Sequence, residues 1–114
     1  MQLHQITTAE DLDSALHSGT SVLFKHSILC PVSAKALREA MHFLKGFEGA
    51  TPAEFGWVSV TENRELSNVI AERTGSKHES PQAFVLVEGV VQWEATHGAI
   101  TREALSDAWN AALA

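Results

Sequence analysis

The chain has 114 residues, 45% of them hydrophobic, and carries a formal charge of −6. That length fits one domain, residues 1–114, with enough chain to bury a core, and the acidic balance argues against nucleic acid or an anionic membrane as partner, because both select for basic patches. No apolar run approaches the roughly 20 residues of a membrane span, the N-terminus lacks the basic-then-apolar pattern of a leader, and one cysteine cannot form an internal disulfide, so a cytoplasmic monomer is expected.

The first helix is expected after Thr7, with Thr7 and Glu10 at capping-box spacing. Leu12, Ala15 and Leu16 share its apolar face and Gly19 ends it. Ser21 to Lys25 reads as a buried strand, and Ser27 to Leu29 as a loop. A second helix starts around Cys30 to Ser33, where Pro31 suits a first turn because its missing N–H would have had no helical partner. Its expected stripe is Ala36, Leu37, Ala40, Met41, Leu44 and Phe47, and Gly46, Gly49 and Pro52 end it.

Phe55 to Val60 reads as a strand, and Thr61 to Asn63 cap a third helix whose buried face is Leu66, Val69, Ile70 and Ala71. Gly75 closes that helix, and residues 76–81 form a polar loop ending in Pro81. Two apolar runs follow, Ala83 to Val87 and Val90 to Ala95, separated by Glu88-Gly89. Two such residues between β-branched runs signal a hairpin, because glycine supplies the positive φ of a primed turn. Thr101 caps a last helix with Ala104, Leu105, Ala108 and Trp109 on its apolar face, and the three tryptophans read as packing residues. Strands alternating with helices pair in parallel through crossovers, and the last two strands pair antiparallel. The expected fold is therefore α/β: an N-terminal helix, then a central mixed sheet of about four strands with helices on both faces. This is the three-layer thioredoxin plan.

The chemistry centres on Cys30, the only cysteine, at the junction of a strand and a helix. First-turn N–H groups of a helix have no intrahelical partners, and with the helix dipole they favour a thiolate. A thiol normally titrating near 8.5 falls to about 3.5–7.5 in such settings. A thiolate can attack a disulfide sulfur, and it can be released again from a mixed disulfide. Three residues on stands Ser33, which can donate a hydrogen bond to a thiolate but cannot complete a disulfide. Exchange at Cys30 must then stop at a mixed disulfide that another thiol releases. In a thioredoxin-like fold a proline before the hairpin is usually cis and faces the cysteine, which would bring Pro81 to the site and the Ser80 backbone beside Cys30, where it could pair with an incoming ligand as an added strand would; an ordinary trans loop proline is the alternative. Lys25, His26 and His78 are the expected substrate-side cations.

His26-Ser27-x-x-Cys30-Pro31-Val32-Ser33, Lys77-His78-Glu79-Ser80-Pro81-Gln82 and Trp93-x-Ala95-Thr96-His97, in that order, resemble the monothiol bacilliredoxin family of YtxJ type over nearly the whole chain. The resemblance implies a bacterial protein in which Cys30 is the nucleophile that removes bacillithiol from S-thiolated client proteins, with Pro81 as the cis-proline. It implies a small thiol as co-substrate and no metal or organic cofactor. Ile28-Leu29 and Gly98-Ala99 depart from the family pattern at positions that bear on ligand specificity. The rival reading is a non-catalytic binding module whose Cys30 is a sensor or inert. A cluster-binding monothiol glutaredoxin is disfavoured, because those proteins carry Cys-Gly-Phe-Ser where this chain has Cys30-Pro31-Val32-Ser33.

Overall fold

The computed structural model describes residues 2–16, 19–27, 31–46, 54–59 and 63–113. Its elements in chain order are β1 (Gln2–Gln5), α1 (Ala9–Leu16), β2 (Thr20–His26), α2 (Pro31–Gly46), β3 (Glu54–Ser59), α3 (Arg64–Thr74), β4 (Gln82–Val87), β5 (Val90–Thr96) and α4 (Arg102–Leu113), with one 3₁₀ turn at His97–Ala99. The sheet has five strands in the order β1-β3-β2-β4-β5. Strands β1 and β2 both run parallel to β3, while β4 runs antiparallel to β2 and to β5.

The α/β plan with a mixed central sheet is present. The expectation of a chain that begins on a helix is corrected, because β1 precedes α1. It pairs along β3 from Gln2 opposite Glu54 to Gln5 opposite Trp57, and the Ile6 N–H continues the ladder to the Trp57 carbonyl at 2.9 Å. An edge strand of four residues needs little apolar patterning, since one neighbour supplies its hydrogen bonds.

Alternation along the strands divides the interior in two. Val22, Phe24, Phe55, Ala83 and Val85 face one way and pack with Ala36, Ala40, Phe43 and Leu44 of α2 and with Leu105, Ala108 and Trp109 of α4. Leu23, Val58, Phe84 and Leu86 face the other way, against Ile6, Leu12 and Ala15 on one side and Leu66 and Ile70 of α3 on the other. Full burial of each large apolar side chain contributes about 1.5–3 kcal/mol. The α2 stripe is rotated from the one expected: Phe43 is in the core, and Leu37 and Met41 are only half-buried. Phe47, the end signals Gly49 and Pro52, Val60 and Thr61 lie outside the described residues.

The helix caps are local and specific. Helix α1 is capped one residue later than its spacing suggests. Thr8 Oγ1 accepts from the Asp11 N–H at 3.1 Å, and Asp11 Oδ2 accepts from the Thr7 N–H at 3.3 Å. The bonds that Asp11 accepts from the Thr7 N–H and, next, from the Thr7 hydroxyl are the main causes holding its carboxyl below the usual carboxylate range. Asn63 caps α3 by accepting from the Leu66 N–H at 3.0 Å, and its Nδ2 donates to the Thr7 carbonyl at 2.8 Å. Gly75 closes α3 at φ 70°. Glu88 and Gly89 both have positive φ, 49° and 80°, as a primed hairpin turn requires.

Candidate functional site

The functional region gathers at one end of the sheet, where β2 ends, α2 begins and β4 starts. Helix α2 opens on Pro31, so the cysteine directly precedes its first residue. Cys30 itself, and the side chains of Pro31 and Ser33, lie outside the described residues. Ser80–Pro81 is the junction between the loop after α3 and β4, and its peptide bond is cis. Pro81 is buried, and its carbonyl accepts from the His97 N–H at 3.0 Å, which ties the end of β5 to the start of β4. The Ser80 hydroxyl oxygen is buried and has no hydrogen-bond partner among the described residues. Buried polar atoms are normally satisfied, so an unpartnered hydroxyl beside a site requires an explanation.

The expected cations occupy other places than a shared ligand surface. Lys25 is 0% exposed. Its Nζ donates to Gln82 Oε1 at 3.0 Å. Burial lowers its pKa to about 8, against the pull of the Glu79 carboxylate. His26 is 6% exposed, with its ring 5.0 Å from that of Trp57 and 5.8 Å from that of Phe24. It therefore belongs to the α2 face of the sheet. His78 shares a hydrogen bond of 2.8 Å with Ser67 Oγ, on α3 and the opposite face. Partial burial is the main cause holding the His78 imidazole below its usual pKa, and the charges of Lys25 and Arg64 add to it against Glu79. The expectation of Lys25 and His26 as ligand-facing cations is corrected. Adjacent strand residues point to opposite layers, and both side chains are inside the protein. Lys25 and His78 do share one side of the sheet; His26 does not join them.

Two residues of the Lys77–Gln82 motif to which the sequence assigns no role of their own, Gln82 and Glu79, complete the region. Gln82 is 2% exposed and sits opposite Lys25 in the β2–β4 ladder. Its Oε1 accepts from Lys25 and, at 3.4 Å, from the Glu79 N–H, and its Nε2 donates to the Lys77 carbonyl at 3.2 Å. The signal was a glutamine placed directly after Pro81 and before an apolar run. Glu79 also approaches His97, Oε2 to Nε2 at 3.7 Å on the surface. Among the described residues no cluster of three or more His, Cys, Asp or Glu side chains is placed to hold a metal, and no helix is long and apolar enough to cross a membrane.

Parallel strands joined through helices, a closing antiparallel hairpin, a cis X-Pro bond at its entry and a helix that opens next to a cysteine define a protein of the thioredoxin class. Solved structures agree. The chain is similar to a protein described as a candidate oxidoreductase with a thioredoxin fold, at 31% identity and TM-score 0.85 over 93% of this chain and 92% of that one. It shares the fold of a mutant thioredoxin from Halobacterium salinarum NRC-1 (14% identity, TM-score 0.74, 96% and 89% covered). It also shares that of spinach chloroplast thioredoxin f (19%, 0.72, 99% and 88%). Residues 2–105 match the family model described as monothiol bacilliredoxin BrxC, and the chain belongs to that family. Membership supports a thiol–disulfide redox function within a low-molecular-weight thiol system.

Proposed function

We propose that this protein catalyses monothiol thiol–disulfide exchange, with Cys30 as the nucleophile and bacillithiol as the small thiol removed from S-thiolated client proteins in the bacterial cytoplasm. The observation that carries the reading is the place of the chain's one cysteine, directly before the first residue of α2, in a member of the monothiol bacilliredoxin family. Unpaired first-turn amides and the helix dipole favour the thiolate there.

In the proposed reaction the Cys30 thiolate attacks the bacillithiol sulfur of a client mixed disulfide. The client sulfur leaves as a thiolate and takes a proton from solvent. Cys30 then holds bacillithiol in a disulfide. With serine at position 33, a second thiol must attack that disulfide to regenerate Cys30. Ser80 and Pro81 border the incoming ligand, and the Ser80 hydroxyl, without a partner among the described residues, supports a hydrogen bond to it. His78 lies on the same loop as a further ligand contact. The exchange itself calls on no metal or organic cofactor, and the protein acts as a monomer.

Intact mass after incubation with bacillithiol disulfide and, separately, glutathione disulfide tests the reading. An adduct with the first that is lost in Cys30→Ser is expected, with an iodoacetamide midpoint well below the ordinary thiol value of about 8.5. No adduct and a midpoint at or above that value would leave a thioredoxin-fold binding module instead.

A further inference from the structure

Lys25 is hard to explain as a stabilising residue. Its neighbours on the same face of the sheet, Leu23, Phe84 and Leu86, are fully buried apolar side chains. An ammonium among them loses its hydration, and a buried cation is ordinarily paired with a carboxylate. Among the described residues Lys25 makes one hydrogen bond, to an amide oxygen, and no ion pair. An apolar side chain would fill the same space at lower cost. What the ammonium does hold is Gln82, and Gln82 holds the loop. The two ends of its amide reach the Glu79 N–H and the Lys77 carbonyl, on either side of His78.

We propose that Lys25 and Gln82 form a buried clamp that positions the Lys77–Pro81 segment for binding of the thiol ligand, with Lys25 acting as a positioning residue through Gln82. The proposal rests on the thiol-exchange reading for what the loop binds. Of the groups that bond the Gln82 amide among the described residues, only Lys25 is charged; the others are the Glu79 N–H and the Lys77 carbonyl, so the amide is oriented by the strongest donor nearby. Lys25 supplies it, and charge-assisted bonds are the stronger kind. With the carbonyl end of the amide fixed, the NH₂ end can only face Lys77, and the loop follows. The titratable groups facing Lys25 are Glu79 and His78 from the loop, with Arg64 of α3 acting on His78. Among the described residues none of them makes a hydrogen bond or ion pair with Nζ, which bonds Gln82.

The test compares wild type with Lys25→Met, Gln82→Met and the double variant. With a small free thiol supplied as the second, regenerating thiol, steady-state release of bacillithiol from an S-bacillithiolated peptide is expected to show KM for the peptide raised about tenfold in each single variant with kcat within about twofold, the loss expected for a shared hydrogen-bonding device. The double variant is expected to lose no more than either single one, because one clamp is broken once. The iodoacetamide midpoint of Cys30 should stay unchanged in all of them, since it reports the ionisation of the thiol and not the docking of a ligand. Hydrogen exchange at the Glu79 amide should accelerate in each variant. Unchanged KM together with unchanged Glu79 exchange in the folded variants would overturn the clamp, and so would a midpoint that moves in Lys25→Met alone, which would put the lysine's charge on the thiol. If wild type itself releases no bacillithiol, the exchange reading falls separately, and the Glu79 amide still decides the clamp: no acceleration overturns it.

Discussion

Lys25 and Gln82 stand opposite each other in the β2–β4 ladder, and Nζ meets Oε1 at 3.0 Å inside the layer that packs against α3. Burial lowers the lysine pKa from 10.5 to about 8. Between those values the folded chain binds fewer protons at this site than the unfolded chain. The lysine's contribution to stability therefore rises with pH across that window and is smallest below it. Relative to Lys25→Met, wild type should gain on the order of 2–3 kcal/mol between about pH 7 and about pH 10. Urea unfolding of both proteins at the two values checks this, and a difference that stays flat would refute it. Near neutral pH the methionine variant should be the more stable of the two, because it buries no charge.

Asn63 links two elements that are far apart in sequence. It caps α3 through Leu66 and reaches the Thr7 carbonyl at the entry to α1. Asn63→Ala should cost about 1–2 kcal/mol, the upper part of the range for a lost cap because a second bond goes with it. Asn63→Asp keeps the cap and loses only the donation to Thr7, so it should fall between the two in chemical denaturation.

Gly56 lies in the middle of β3, directly under Ile6. A Cβ at position 56 would come 2.3 Å from Ile6 Cδ1 and 3.2 Å from Cγ1. Ile6 is itself buried among Leu23 and its neighbours, so it has little room to swing aside. Gly56→Ala should cost about 1–3 kcal/mol by overpacking. Adding Ile6→Val removes the clashing methyl, and the pair should be non-additive in thermal melts, with the double variant recovering part of the loss.

Glu88 holds a positive φ of 49° at the first position of the hairpin turn, and its N–H donates to the Gly19 carbonyl at 2.9 Å. Asparagine tolerates that conformation better than glutamate, and Asn-Gly is the preferred pair for this turn. Glu88→Asn should raise the midpoint of thermal unfolding, corresponding to a few tenths of a kcal/mol up to about 1 kcal/mol. A lowered midpoint would count against the turn assignment.

These residues also explain what could be read from the chain. The hairpin was legible because Glu88-Gly89 separates two β-branched runs, and α3 because Asn63 and Gly75 bracket an apolar face. Strand β1 was not, since Gln2–Gln5 holds one apolar residue and its partner strand is more than 45 residues away. The α1 cap slipped by one residue because Thr7 and Thr8 are followed by Glu10 and Asp11, so two boxes compete. In the site, the end of β2 was read from residue polarity. Ser21 to Lys25 reads as a buried strand, yet Lys25 and His26 are expected there as substrate-side cations, whereas the register drives one into each layer. A buried polar side chain is defined by its partner, and the partner of Lys25 lies 57 residues further along the chain.

The two interior layers are unequally lit. Trp57, Trp93 and Trp109, the only tryptophans in the chain, all pack with the cluster beneath α2 and α4. The layer that holds Lys25, Gly56 and Leu66 contains no indole. Intrinsic fluorescence will therefore watch one half of this protein come apart and stay dark to the other. A probe placed against α3 would be needed to learn whether the halves let go together.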